Sequence, residues 1–175
     1  MNSLTNSSAP VVLLLGLSIA APVVSAETVQ TRLRSSQEVP AISSSASGHF
    51  RATINDKAGT IAYELEYSGL TGDVQQAHIH VGQHFVNGAV SVFLCQTEAS
   101  PDPTGLAPRC PRSGKVTGIL QSANMIAGPI VNQGIAPGEF AELVAAIRAG
   151  VTYVNVHSST FPGGEVRGHL QQQGH

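Results

Sequence analysis

Alternation of apolar and polar residues recurs along most of the chain and predicts β-strands. In the clearest case, TIAYELEY at residues 60–67, every second residue from Ile61 to Tyr67 is apolar and two glutamates lie between them. A strand of this kind buries one face and leaves the other to solvent. GHFRATI at residues 48–54 repeats the pattern, and the turn sequence NDKAG joins the two segments into an antiparallel hairpin.

Six further segments have strand character and are separated by breaks that contain Gly or Pro. With the hairpin they give eight short strands, which predicts an all-β fold, an antiparallel sandwich or barrel. The six segments are TVQTRLR (28–34), QAHIHVG (76–82), AVSVFLC (89–95), VTGIL (116–120), VTYVNVH (151–157) and EVRGHLQ (165–171).

One segment, PGEFAELVAAIRAG at residues 137–150, has helical periodicity instead. Its apolar residues Phe140, Leu143, Val144 and Ile147 recur at helical spacing, and the segment starts with Pro and ends with Arg and Gly. It predicts one short crossover helix, at about residues 137–149, that covers one end of the core.

The N-terminus has the layout of a secretory signal peptide over residues 1–26, because an apolar run is followed by small residues that end at Ala26. No Lys or Arg precedes the run, and an uncleaved membrane anchor is the alternative. Cleavage would leave one domain over residues 27–171 and a flexible tail over residues 172–175, with no membrane attachment. The protein is then expected outside the cytoplasm, in a periplasm or the extracellular space.

The composition argues against some classes of binding partner and indicates the redox environment of the protein. Charged residues are 11% of the chain, the net charge is −2, and no basic run occurs, which argues against nucleic acid and anionic membranes. Cys95 and Cys110 are the only two cysteines, and an even pair in an exported chain predicts a disulfide. The bridge would close an irregular, Pro-rich loop and stabilise the fold by about 3 kcal/mol.

Three of the seven histidines lie in QQAHIHVGQH, residues 75–84. His78 and His80 share one face of a strand because they are two residues apart, and Ile79 between them belongs to the buried face. The same parity turns His157 away from the core on its own strand.

If the two strands are neighbours, His78, His80 and His157 form an outward-facing cluster on a solvent-exposed sheet face, with His84 reaching in from the next loop. Neutral imidazole nitrogens suit zinc and copper, so these four residues are the candidate metal ligands. The alternative is that they are polar surface residues.

No catalytic residues are predicted. Ser158 and Ser159 beside His157 lack a buried acid and a nucleophile elbow. Glu64 and Glu66 lie on a regular alternating strand and are interpreted as a solvated face rather than a glycosidase pair. The sequence therefore leaves enzymatic activity open but favours a protein that is not an enzyme.

Three stretches resemble the CHRD domain, the chordin-type domain also found in microbial secreted proteins. They are SGLTGDVQQAHIHVG, GEFAELVAAIRAG and TYVNVHSSTFPGGEVRGHL, and the most specific block is Phe161–Gly168. The resemblance runs from about Thr28 to Leu170. It implies an immunoglobulin-like β-sandwich or barrel with a limited likeness to copper–zinc superoxide dismutase.

The dismutase analogy implies that His78 and His80 bind copper, with His157 as a third ligand. A metal-bridging histidine and a zinc cluster after His84 are missing, which counts against dismutase chemistry. In the FPGGEVRG block, Gly163 and Gly164 are expected in a tight turn, and Arg167 is expected to pair with Glu165 or with a carboxylate on the adjacent strand.

These observations lead to three functional hypotheses. The first is a non-catalytic extracytoplasmic module that binds an unknown extracellular protein or glycan. The second is a copper- or zinc-binding protein that uses the histidine cluster. The third is a redox enzyme built on that metal.

Overall fold

The computed structural model describes residues 26–172. Residues 1–25 of the predicted signal peptide and residues 173–175 of the predicted tail lie outside this range. The described chain forms the strands β1 (Glu27–Arg34), β2 (Ser47–Asn55), β3 (Thr60–Ser68), β4 (Val74–Val81), β5 (Ala89–Cys95), β6 (Gly114–Leu120), β7 (Thr152–Ser158), β8 (Val166–His169) and β9 (Gln171–Gln172), one α-helix, α1 (Phe140–Arg148), and short 3-10 turns at Ser35–Gln37, Ser122–Asn124 and Pro129–Gln133.

All strand pairings are antiparallel, and the strands follow the order β5-β4-β7-β8-β1-β2-β3-β6, with β9 paired to β1. The two edge strands, β5 and β6, approach each other. The hydroxyl of Tyr63 on β3 donates a hydrogen bond to the Leu94 carbonyl on β5 across the remaining gap. The sheet is therefore a nearly closed barrel, and the predicted all-β antiparallel fold is confirmed.

The core lies inside this barrel and is filled by the inward residues of the alternating strands. Ile79 and Val81 on β4 and Val154 and Val156 on β7 all point into it, as their parity predicts. The apolar stripe of the helix joins the same core. The helix begins at Phe140, later than predicted, because Gly138 has a left-handed φ of 85° that no helical turn accepts.

The opposite sheet face departs from the expectation. On β2 and β3 it is wet, with His49, Arg51 and Glu66 exposed, but on β4, β7 and β8 it is buried. Three irregular segments cover it, at residues 35–42, 83–88 and 159–164. The Asn87 amide, for example, donates to the Val39 carbonyl at 2.9 Å and ties two of these segments together.

The predicted disulfide between Cys95 and Cys110 is present. It fastens the end of β5 to the loop before β6. Within residues 26–172, no helix combines the length and apolar character that a membrane crossing requires.

Candidate metal centre

His78 and His80 on β4 and His157 on β7 lie next to one another on the covered sheet face. β4 and β7 are hydrogen-bonded neighbours, with Gln76 opposite His157 and His78 opposite Asn155. The pairing of β4 with β5 shifts register at Ala77/His78 and again at Ile79/His80. Such bulges bend a strand and re-aim its side chains, and they are frequent beside functional sites. One ring nitrogen from each histidine lies within 4.8 Å of those from the other two.

The tautomers of two of these histidines follow from backbone carbonyls. His157 Nδ1 lies 2.8 Å from the Pro162 carbonyl oxygen, and His80 Nδ1 lies 2.9 Å from the Gly88 carbonyl oxygen. A carbonyl only accepts, so each Nδ1 carries the proton and each Nε2 carries a lone pair. This is the arrangement in which metal-binding histidines are usually held by their outer contacts.

Two polar atoms lie close to the Nε2 atom of His157. His78 Nδ1 lies 3.1 Å from it and Asn155 Oδ1 lies 2.9 Å from it. Because Nε2 has no proton, its contact with Asn155 Oδ1 brings two lone pairs together. A cation held between these atoms would satisfy both.

Burial keeps all three imidazoles neutral. Only 2% of His78, 7% of His80 and 6% of His157 are exposed, so the prediction that they face solvent is wrong. Burial lowers the pKa of each, to about 4 for His80, and the neighbouring imidazoles lower the pKa of His78 further. Nε2 of His78 and Nε2 of His80 have no hydrogen-bond partner among the described residues.

Tyr153 and Arg167 support His80 from the side. The ring of His80 stacks on the Tyr153 ring with centroids 4.6 Å apart, and the Arg167 guanidinium lies 3.4 Å from the Tyr153 ring centroid. Arg167 is 1% exposed and donates to the Val86 carbonyl at 2.6 Å and to Asn87 Oδ1 at 3.0 Å. It thereby anchors the loop after β4.

The predicted pairing of Arg167 with Glu165 does not occur. Both were expected on an exposed face, but Glu165 is fully buried and its carboxylate accepts hydrogen bonds from the Ser44 hydroxyl and from the backbone and hydroxyl of Thr71. Burial raises the pKa of Glu165, but hydrogen bonds from Ser158, Ser44 and Thr71 together hold it below its ordinary value. The carboxylate that acts on Arg167 is instead Glu38.

One site residue that sequence reasoning missed is Glu38. It is 6% exposed and lies against Asn155, and burial raises its pKa to about 7 although Arg167 lowers it. Gly164 leaves room for this contact, because a Cβ there would lie 2.5 Å from Glu38 Oε1 and 2.6 Å from Asn155 Nδ2. The sequence around Glu38, SSQEVPA, has no periodicity that would indicate burial.

His84, the fourth candidate ligand, lies outside the cluster. Its exposed ring stacks on His169, with centroids 3.7 Å apart. The grouping with one nitrogen of each residue within 4.8 Å contains only the other three among the described residues.

The three-histidine cluster is close to the dimensions of a metal site. Nitrogens bound to tetrahedral zinc at about 2.0–2.1 Å lie about 3.3 Å apart, and the observed 3.1 Å between His78 and His157 is near that value. All three nitrogens lie within 4.8 Å of one another, so the widest separation has to shorten by no more than about 1.5 Å. Cu or Zn binding by these residues stays a prediction.

A model of the CHRD domain family matches residues 29–170. The chain belongs to the CHRD domain family. The match covers β2 to β8 in full and all of β1 except its first two residues, and it ends just before β9, so the CHRD domain and the barrel are the same unit. No curated protein and no solved structure matches the chain. The likeness to copper–zinc superoxide dismutase is not borne out by these comparisons, and the candidate metal centre of this CHRD domain depends on its own geometry.

Proposed function

We propose that this CHRD protein is a non-catalytic binding module that acts outside the cytoplasm and holds one copper or zinc ion with His78, His80 and His157. The observation that carries the proposal is the convergence of three buried neutral imidazoles, two of which are locked by backbone carbonyls in the tautomer that offers Nε2. Nitrogen ligands of this kind suit both ions.

Asn155 is the proposed fourth ligand. Its Oδ1 atom faces the same nitrogen of His157 that the metal would share with His78. A neutral oxygen in that position would complete four-coordination, and a site closed by four protein ligands is structural rather than catalytic. Burial of the three imidazoles agrees with a site that gives water little access.

The extracytoplasmic location has two supports. The Cys95–Cys110 disulfide is typical of an oxidising compartment. The signal-type sequence at residues 1–26 points the same way.

Metal analysis of purified, EDTA-treated and reloaded protein tests the proposal. We expect one zinc or copper ion per chain and a rise in unfolding temperature on loading, since a ligand that binds only the folded state stabilises it by about 2.7 kcal/mol at 100 times Kd. His80→Phe keeps a flat ring against Tyr153 but removes the ligand nitrogen, and His157→Gln removes another.

The matched control is His49→Gln, which removes an exposed histidine on β2. Both cluster variants should lose the bound ion and the thermal shift, and the control should keep both. Stoichiometric binding that survives in His80→Phe and His157→Gln, or no binding to the unmodified protein, would contradict the proposal and leave the cluster as a buried hydrogen-bonded network.

A further inference from the structure

A groove of about 640 Å³ crosses the outer face of β1 beside the loop that follows β4. Its volume lies in the range of small-molecule binding sites. Arg32, Arg34, His49, His84, Phe85 and His169 line it, and its other lining residues are Gln, Ser and Thr. None of its lining residues is Asp or Glu.

The two arginines of the groove have no carboxylate partner among the described residues, unlike three other exposed arginines of the chain. Arg109, Arg112 and Arg148 form ion pairs with Glu98, Asp73 and Glu27, at 3.1 Å and 2.9 Å for the first two. Among residues 26–172, neither Arg32 nor Arg34 takes part in an ion pair within 4.0 Å.

The register of the strands concentrates positive charge further. On β1, Arg34 lies directly opposite the buried Arg167 of β8. Like charges placed opposite each other across a strand pair destabilise a sheet. An anionic ligand in the groove would relieve the repulsion between Arg34 and Arg167.

Phe85 lies at the rim of the same groove. It is 86% exposed, and its φ of 63° is left-handed, which is unusual for a bulky residue. Arg167 fixes this loop from below through the Val86 carbonyl and Asn87. An apolar ring held out in solvent by unfavourable backbone geometry is a feature typical of binding sites.

We propose that this groove binds an acidic polysaccharide, through carboxylate or sulfate groups on its sugar rings. The forked guanidiniums of Arg32 and Arg34 match the paired oxygens of either group. The Gln, Ser and Thr side chains of the lining pair with sugar hydroxyls, and the ring of Phe85 packs on the C–H face of a pyranose. The groove and the metal centre share no proposed ligand residue, so each proposal can fail alone.

Isothermal titration calorimetry with a polygalacturonate oligomer, a heparin oligosaccharide, neutral dextran and polyglutamate tests this inference. The first two separate carboxylate from sulfate recognition. We expect binding to at least one of them, weakening as NaCl is raised, and none to dextran. EDTA should leave this binding unchanged.

Three variants locate the site. Arg32→Gln combined with Arg34→Gln should weaken acidic saccharide binding at least tenfold, and Phe85→Ala should weaken it about fivefold. The matched control is Arg109→Gln combined with Arg112→Gln, which removes the same charge from exposed positions that are 68% and 88% accessible, and it should bind as the unmodified protein does. No binding to either acidic saccharide, equal loss in the control, or equally tight binding of polyglutamate would overturn the inference.

Discussion

The ring of His80 stacks on the ring of Tyr153, with the two planes 8° apart and their centroids separated by 4.6 Å. The same phenol accepts a hydrogen bond from the Gly88 backbone N–H at 3.2 Å, and the Gly88 carbonyl accepts from His80 Nδ1. Tyr153 therefore fixes His80 twice, by its face and through the backbone of Gly88.

Replacing Tyr153 should uncouple these two effects. Tyr153→Leu removes the stack and the contact with Arg167, and we expect a loss of about 3 kcal/mol in the free energy of unfolding. Zinc affinity should fall about tenfold or more, as is usual when the support of a metal ligand is lost. Tyr153→Phe keeps both ring contacts and should lose only about 1 kcal/mol. Urea denaturation and zinc calorimetry measure the two effects, and equal losses in both variants would show that the stack is unimportant.

The turn before β8 gives a second prediction with an adjacent control. Gly164 has a φ of 125° and a Cβ at this position would overlap Glu38 and Asn155, whereas nothing lies within 4 Å of a Cβ built on Gly163. Gly164→Ala should destabilise the protein by about 2 kcal/mol or more and Gly163→Ala by less than about 0.5 kcal/mol. Thermal unfolding of both variants checks the difference, and similar shifts in the two would refute the steric explanation.

The sequence was sufficient to predict which face of each strand enters the barrel. Alternation in β4 and β7 placed Ile79 and Val154 inside and left the histidines on the other face, and the structure agrees. Periodicity also located the helix, and the pair of cysteines predicted the disulfide. These features depend on residues that are close together in the sequence, so the sequence alone is enough to predict them.

The covering of the histidines could not be predicted in the same way. Alternation predicts only that one face of a strand packs against the main core. It does not predict whether loops cover the other face. The segments that do so, around Glu38 and Asn87, have no periodicity, and they meet only through long-range contacts such as that between Asn87 and Val39. Arg167 was expected on the surface for this reason, and it is one of the largest fully buried side chains.

Reduction of the Cys95–Cys110 bridge should destabilise the protein measurably. The bond closes a loop with a sequence separation of 15, for which the chain-entropy estimate is about 3 kcal/mol. Urea denaturation with and without dithiothreitol measures the loss. The double variant Cys95→Ala and Cys110→Ala is the control, because reductant should not affect it; a reductant effect that persists there would come from another source.

Stability of the metal-free protein should fall in acid because of its buried histidines. His78, His80 and His157 each have a folded-state pKa below the unfolded value of about 6.5. In acid the unfolded chain therefore binds more protons than the folded chain does. Stability is then full above about pH 6.5 and is lost as the pH falls toward about 4, the pKa of His80. For His80 alone the loss is on the order of 3 kcal/mol.

Glu38 has the opposite dependence. Its folded-state pKa of about 7 exceeds its unfolded value, so the folded chain holds a proton that the unfolded chain releases, and stability falls as the pH rises from about 4.5 to 7. The effect of the three histidines is larger than that of the single carboxyl, so the free energy of unfolding decreases overall as the pH falls.

Glu38→Gln removes this opposing contribution. Between pH 5 and pH 8, the free energy of unfolding of the variant should exceed that of the unmodified protein by about 1–3 kcal/mol. As the pH falls, the free energy of unfolding of the variant should decrease more steeply. Urea denaturation in EDTA at several pH values measures both, with the exposed Glu66→Gln as the matched control. If Glu38→Gln and Glu66→Gln have parallel pH profiles, Glu38 does not hold a proton in the folded protein.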